Sequence, residues 1–125
     1  MATTREQGAF TEDLACQFLE AKGFKLIERN FNCRLGEIDL IMQDKNSLVF
    51  IEVRYRKNNH FGSGAESVTY SKQQKLIKTA SLYLQQHSKL NACPARFDVV
   101  SITGSIESDN LNNIDFDWVS NAFEV

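Results

Sequence analysis

Two neighbouring apolar runs that each contain an acidic residue constrain this sequence more than any other feature. Residues 38–42 and 48–53 are apolar, and the polar tetrapeptide 43–46 separates them. This is the pattern of two β-strands joined by a hairpin turn. Asp39 lies within the first run and Glu52 within the second. A carboxylate inside an apolar strand is costly unless it has a partner, and such departures from local rules are expected at functional sites.

The alternation of side chains along a strand predicts which of these residues lie together. Glu37, Asp39 and Ile41 should share one side of the first strand, and Glu52 and Arg54 one side of the second. If the strands pair, Asp39, Glu52 and Arg54 can meet on one face. Carboxylate oxygens suit Mg²⁺ or Mn²⁺, and such an ion can activate water and neutralise charge on a phosphodiester. The alternative is a salt-bridged sheet edge in which arginines neutralise both acids.

The remaining segments predict one mixed α/β domain over residues 1–125. Helical spacing of apolar residues predicts two long helices, and the shorter apolar runs predict strands. The expected elements are a helix from Thr3 or Thr4 to Gly23, strands over 24–32, from Gly36, over 47–55 and over 96–102, a helix capped by Ser71 that ends near His87, and a last strand and short helix in the tail. The segment 56–70 is expected to be a loop. The order is α-β-β-β-α-β, a sheet flanked by helices.

Positive charge is concentrated in the middle of the chain, although the net charge is −2. Residues 54–78 hold six cations and one acid. Such a segment is compatible with a site for a polyanion, and the alternative is a solvated helix face. The expected contacts with nucleic acid are Arg56, Lys57, Lys72 and Lys75.

Several features predict a cytoplasmic protein that does not bind a membrane. Charged residues interrupt any apolar run near the N-terminus, and no segment approaches the roughly 18 apolar residues of a membrane span. The three cysteines, Cys16, Cys33 and Cys93, are scattered and odd in number. They fit neither a disulfide framework nor a zinc site.

Four motifs carry a resemblance to a known family: GEIDLI, FIEVRYR, SVTYSKQQKLIKTASLYL and RFDVVSIT. Together they resemble the YraN family, a bacterial group assigned to the restriction-endonuclease-like, or PD-(D/E)xK, nuclease superfamily. The resemblance covers nearly the whole chain. It implies a restriction-endonuclease-like α-β-β-β-α-β core and a metal-dependent phosphodiesterase site of the kind found in Holliday-junction resolvases, with DNA as the expected substrate.

The resemblance also implies roles for individual residues. Asp39 would be the first metal ligand and Glu52 the second, with Mg²⁺ or Mn²⁺ as the cofactor. Arg54 occupies the place of the superfamily's lysine. Since arginine stays charged, Arg54 cannot take a proton from water, but it can orient the water or hold the phosphate. The implied auxiliary groups are Glu12, Glu37 and Gln73.

Three functions follow as alternatives. The first is a divalent-metal-dependent nuclease. The second is a catalytically inactive nucleic-acid-binding module of the same fold, suggested by Arg54 at the lysine position. The third is a small protein-interaction domain, suggested by the aromatic tail residues Phe116, Trp118 and Phe123, unless these aromatics complete the core.

Overall fold

The structure, a computed structural model, describes residues 4–56, 68–87, 89, 92–106 and 113–123. These residues form two α-helices and five β-strands. In chain order they are α1 (Thr4–Glu20), β1 (Lys25–Cys33), β2 (Gly36–Asp44), β3 (Ser47–Arg56), α2 (Tyr70–Gln86), β4 (Ala95–Thr103) and β5 (Asp115–Phe123). All five strands belong to one sheet in the order β1-β2-β3-β4-β5.

The sheet is mixed. Strands β3 and β4 are parallel, whereas β1–β2, β2–β3 and β4–β5 are antiparallel pairs. Two parallel neighbours need a crossover connection, and α2 lies within the chain segment that joins β3 to β4. The α-β-β-β-α-β order expected from the sequence is confirmed, and β5 extends the sheet beyond β4.

The two helices cover opposite faces of the sheet. Ala15, Cys16 and Leu19 of α1 pack in one buried cluster, and Leu76, Ala80 and Tyr83 of α2 pack in the other. Both sets recur at three- and four-residue spacing, which places each on one side of its helix. Because both faces are covered, residues 48–51 of β3 are all buried, as is usual for a strand inside a three-layer domain.

Helix α2 begins earlier than the sequence suggested. Its N-cap is Thr69, which has an extended backbone and whose side chain accepts a hydrogen bond from the Lys72 backbone N–H at 3.2 Å. Ser71 is already helical, so the prediction that it caps the helix is wrong. The predicted loop lies largely outside the described residues, as does Lys57. In the part of the chain that the structure describes, neither helix is long and apolar enough to cross a membrane.

The tail forms a single strand. Residues 115–123 all belong to β5, so the short helix expected after the last strand is wrong for these residues. Phe116 and Trp118, two positions apart, both pack on the α1 side, whereas Phe123 packs on the α2 side. This alternation of faces is the period of a strand, which a helix would not satisfy.

Candidate functional site

Asp39 and Glu52 line the same open cavity, next to α2. The cavity has a volume of about 250 Å³. It is lined by seven described residues: Gly36, Glu37 and Asp39 of β2, Glu52 of β3, and Lys72, Lys75 and Leu76 of α2. The convergence of the two acids that strand pairing predicted is therefore present.

Asp39 lies where β2 departs from regular strand geometry. The hydrogen-bonded register between β2 and β3 extends as far as Leu40, and beyond it Asp39 Oδ2 accepts the Val53 backbone N–H at 2.9 Å. Ile38 and Ile41 pack on the α2 side, whereas Leu40 packs on the α1 side. Strict alternation is thus wrong for this part of β2, where the Asp39 side chain accepts the Val53 N–H.

Burial and neighbouring charge perturb Asp39. Burial raises the pKa of its carboxyl group, the negative charge of Glu52 raises it further, and the result is a pKa of about 8. The hydrogen bond from Val53 opposes this rise, and Glu12 and Glu37 add to it. A pKa raised by burial and like charge marks a candidate functional carboxylate. A bound cation would favour its ionised form.

Glu52 is held by a lysine from the neighbouring helix. Its side chain is only 7% exposed, and Lys72 Nζ lies 2.6 Å from its Oε1. Lys72 and Lys75 were expected to contact nucleic acid, and both line the cavity. Lys72 lies one helical turn before Leu76, so it is on the side of α2 that faces the sheet. A lysine at such a position needs an acidic partner, and this spacing is the sequence signal that could have pointed to a contact with an acid such as Glu52.

The two arginines of β3 lie at the end of that strand. Arg54 is half-buried and is paired in register with Ser101 of β4. The described residues that line the cavity do not include it. Arg56, also half-buried, is the last residue of β3, and its carbonyl accepts the Gly104 N–H at 3.0 Å.

A second cavity adjoins Asp39 on the α1 side. It has a volume of about 230 Å³ and is lined by Gln7, Gly8, Thr11, Glu12, Asp39, Val53 and Tyr55. Burial raises the pKa of Glu12, opposed by a hydrogen bond from Asn30 and by the charge of Arg29, whose Nη2 lies 3.6 Å away. The predicted auxiliary acid therefore lies on the other side of Asp39 from Glu52.

The other two predicted auxiliary residues have different surroundings. Glu37 is exposed at the rim of the first cavity. Gln73 donates its side-chain amide N–H to the Val68 carbonyl at 3.0 Å, at the start of α2, and is absent from the described lining of both cavities.

Gly36 determines how closely β2 approaches α2. A Cβ atom at this position would lie 2.9 Å from Thr79 Oγ1, which is closer than such contacts allow. Glycine, which has no Cβ atom, permits this close approach of the backbone. Only the tertiary structure shows that the element that approaches Gly36 is α2.

Comparison with known proteins places the chain in a family. Residues 11–102 match the group described as "Uncharacterised protein family UPF0102". A UPF0102 protein of Nitrosococcus oceani is 49% identical over 124 residues, which cover 99% of this chain and 96% of that protein. Relatives from Stutzerimonas stutzeri (47% identical, 99% of each chain) and Legionella pneumophila (46% identical, 97% of each chain) match similarly. The chain therefore belongs to the UPF0102, or YraN, family, as its motifs indicated.

Proposed function

We propose that this protein is a divalent-metal-dependent nuclease that hydrolyses phosphodiester bonds, with DNA as its substrate. The observation that carries the proposal is the pairing of Asp39 and Glu52 in one open cavity flanked by two lysines. Two carboxylates that are held close together repel each other and thereby lower the stability of the folded protein. A site that retains both beside cations has the charge arrangement that a metal ion and a phosphate need.

The donor atoms fit Mg²⁺ or Mn²⁺. Both ions prefer oxygen ligands, and Mg²⁺ is commonly held by one or two carboxylates, with waters and substrate phosphate oxygens completing its shell. The described residues offer no group of three or more His, Cys, Asp or Glu side chains for an ion. Asp39 and Glu52 would supply two carboxylates, which is the number with which proteins commonly hold Mg²⁺. When bound, the ion would lower the pKa of a coordinated water and neutralise charge on the phosphodiester.

Charged side chains in and around the cavity would handle the substrate and the ion. Lys72 and Lys75 add two positive charges to the cavity that holds the carboxylates, which favours the approach of a phosphate backbone. Arg54, two residues after Glu52, carries a permanent charge that can hold or orient a phosphate oxygen. Glu12 and Glu37 add negative charge next to Asp39 and would thereby favour a cation there.

The test is cleavage of linear duplex, single-stranded and four-way-junction DNA with Mg²⁺ or Mn²⁺, against EDTA. We expect metal-dependent cleavage of at least one substrate. Asp39→Asn and Glu52→Gln should each lower the rate by at least about 10²-fold, the scale for losing one electrostatic partner of the transition state. Asp117→Asn, at an exposed position of β5, should cleave normally. Absence of cleavage, or cleavage unaffected by Asp39→Asn, would contradict the proposal.

A second candidate is nucleic-acid binding without hydrolysis. The observation that favours it is the 2.6 Å contact between Lys72 and Glu52, which provides this carboxylate with a cation from the protein itself. Affinity for DNA should then fall steeply with salt, because bound cations displace counterions from the phosphates. It should not change when Mn²⁺ is added. Tighter DNA binding with Mn²⁺, lost in Glu52→Gln, would exclude this alternative.

A further inference from the structure

The contact between Lys72 and Glu52 combines a buried acid with a partly exposed lysine. The carboxylate is 7% exposed and the lysine 39% exposed, with Nζ 2.6 Å from Oε1. An ionised buried carboxylate is costly without a partner. The lysine therefore stabilises Glu52 whenever no other cation is present.

The backbone of Lys72 is fixed, whereas its ammonium group has room to move. Its N–H is bound by the cap residue Thr69 at 3.2 Å, and Leu76, one turn further along α2, is anchored in the core. The flexible four-carbon side chain extends into an open cavity of about 250 Å³. The ammonium group can therefore leave Glu52 without any movement of the helix.

Lys72 and a metal ion would compete for Glu52. Two cations close to the same carboxylate repel each other, so a divalent ion at Glu52 would displace the ammonium group. Once displaced, the ammonium group would remain within the cavity that also contains Asp39 and Lys75. A phosphate bound to the ion would offer the released ammonium group an anion inside this cavity.

We propose that Lys72 is a displaceable counter-ion. In the metal-free protein it neutralises Glu52, and when a divalent cation binds it releases Glu52 and turns to the phosphate of the nucleic acid. The inference rests on the metal site of the proposed function and adds a role for Lys72. Metal binding thereby makes a phosphate-binding cation available, so metal and nucleic acid should each increase the affinity for the other.

The first test measures Mn²⁺ affinity by titration calorimetry without nucleic acid. Lys72→Met should bind Mn²⁺ about 10-fold more tightly than wild type, because the competing cation has been removed. Lys78→Met, an exposed lysine of the same helix, should bind with unchanged affinity. In EDTA, Lys72→Met should also have a lower melting temperature than Lys78→Met, since Glu52 has lost its cation.

The second test measures binding of a hydrolysis-resistant phosphorothioate duplex. With Mn²⁺, Lys72→Met should weaken binding several-fold and lower the salt dependence by about one phosphate contact. In EDTA it should have little effect, because the lysine is engaged by Glu52. Any contribution of Lys78 should be the same under both conditions.

The outcomes separate this inference from the proposed function. If wild type and Lys72→Met bind Mn²⁺ equally well through Glu52, the inference is wrong and the nuclease proposal stands. If Lys72→Met binds more tightly but no substrate is cleaved, the counter-ion role stands and the nuclease proposal fails. If neither protein binds Mn²⁺, both are wrong.

Discussion

At the scale of single residues, Asp39 combines a structural and a functional demand. Its Oδ2 accepts the Val53 N–H at the point where the β2–β3 register ends. Either form of the carboxyl group can accept this hydrogen bond, but burial and the charge of Glu52 disfavour the ionised form. The residue should therefore cost stability at the pH values at which it would bind a cation, a trade-off common at functional sites.

The first prediction concerns the pH dependence of folding. The pKa of Asp39 is about 8 in the folded protein and 3.8 in an ordinary aspartate. Between these values the folded protein keeps a proton that the unfolded chain releases, so this group makes the free energy of unfolding fall as the pH rises from about 4 to about 8. We expect a loss on the order of 2–5 kcal/mol.

Asp39→Asn isolates that contribution. Asparagine can still accept the Val53 N–H and cannot ionise, so the variant should lose this part of the pH dependence and be more stable than wild type at pH 8. Urea unfolding at pH 5 and pH 8 measures the difference. Asp117→Asn, at an exposed position, should follow the wild type. Parallel pH curves for wild type and Asp39→Asn would contradict the perturbed pKa.

The second prediction concerns Arg54. If its charge stabilises the scissile phosphate, Arg54→Ala should bind metal normally or more tightly and lose about 10²–10³-fold in turnover, whereas Arg54→Lys should retain activity. Turnover and melting temperature are measured on the same samples. A large loss of stability with normal activity per folded molecule would instead assign Arg54 as a structural counter-ion.

At the scale of elements, the β4–β5 pair repeats the local device found at Asp39. The register shifts between Phe97 and Val99, and there Asp98 Oδ1 accepts the Asn121 N–H at 2.9 Å. Asp98 is fully buried, and it also receives hydrogen bonds from Arg96 and from the Trp118 indole, each at 3.0 Å. Because Arg96 contacts Asp98 directly, we infer that Asp98 has a structural role. The sequence signal was an arginine and an acid two residues apart, on one face of a strand.

The third prediction tests that junction. Asp98→Asn removes one of the two carboxylates that contact Arg96, and Asp44 remains 3.1 Å from the guanidinium group. The variant also weakens the charge-assisted hydrogen bonds to Asp98, so it should cost about 2 kcal/mol in the free energy of unfolding. The exposed Asp117→Asn should change it by less than about 0.5 kcal/mol. Denaturant unfolding of both variants gives the comparison. A cost below about 1 kcal/mol for Asp98→Asn would show that the network contributes little to folding.

At the scale of the whole molecule, β5 is part of the core. The rings of Phe116 and Phe18 stack at 4.6 Å between centroids, and Trp118 packs edge-on against Phe24. On the other face, Phe123 stacks on Phe97 at 4.8 Å. The aromatic tail that suggested a protein-interaction domain therefore packs on both faces of the sheet. Packing in the core explains its aromatic residues.

The fourth prediction is that a chain ending at Ile114 does not fold cooperatively. The truncation exposes one edge of β4 and the aromatic surface of Phe18 and Phe24, and loss of such packing removes several kcal/mol. Circular dichroism melting and dye binding to exposed apolar surface provide the measurement. Trp118→Phe, which keeps a ring, should still melt cooperatively. A truncated protein with a sharp melting transition would restore the interaction hypothesis for the tail.

The sequence by itself determined the order of the elements and the identity of the two central acids. Helical and strand periodicities are local signals, so α1, α2 and the strands around Asp39 and Glu52 could be recognised from short windows. The acids stood out because carboxylates in apolar strands violate the local pattern. Because these signals are local, they did not show that Thr69 rather than Ser71 caps α2. They also did not show that the tail pairs with β4 as one strand.

Only the tertiary structure decided which groups meet. Helix α2 and strand β3 are separate in the chain, so the contact between Lys72 and Glu52 could not be read from either segment. The irregularity at Asp39 likewise depends on Val53, fourteen residues away. Periodicity fixes the face on which a side chain lies, whereas the distance between two charges depends on how the helix packs on the sheet.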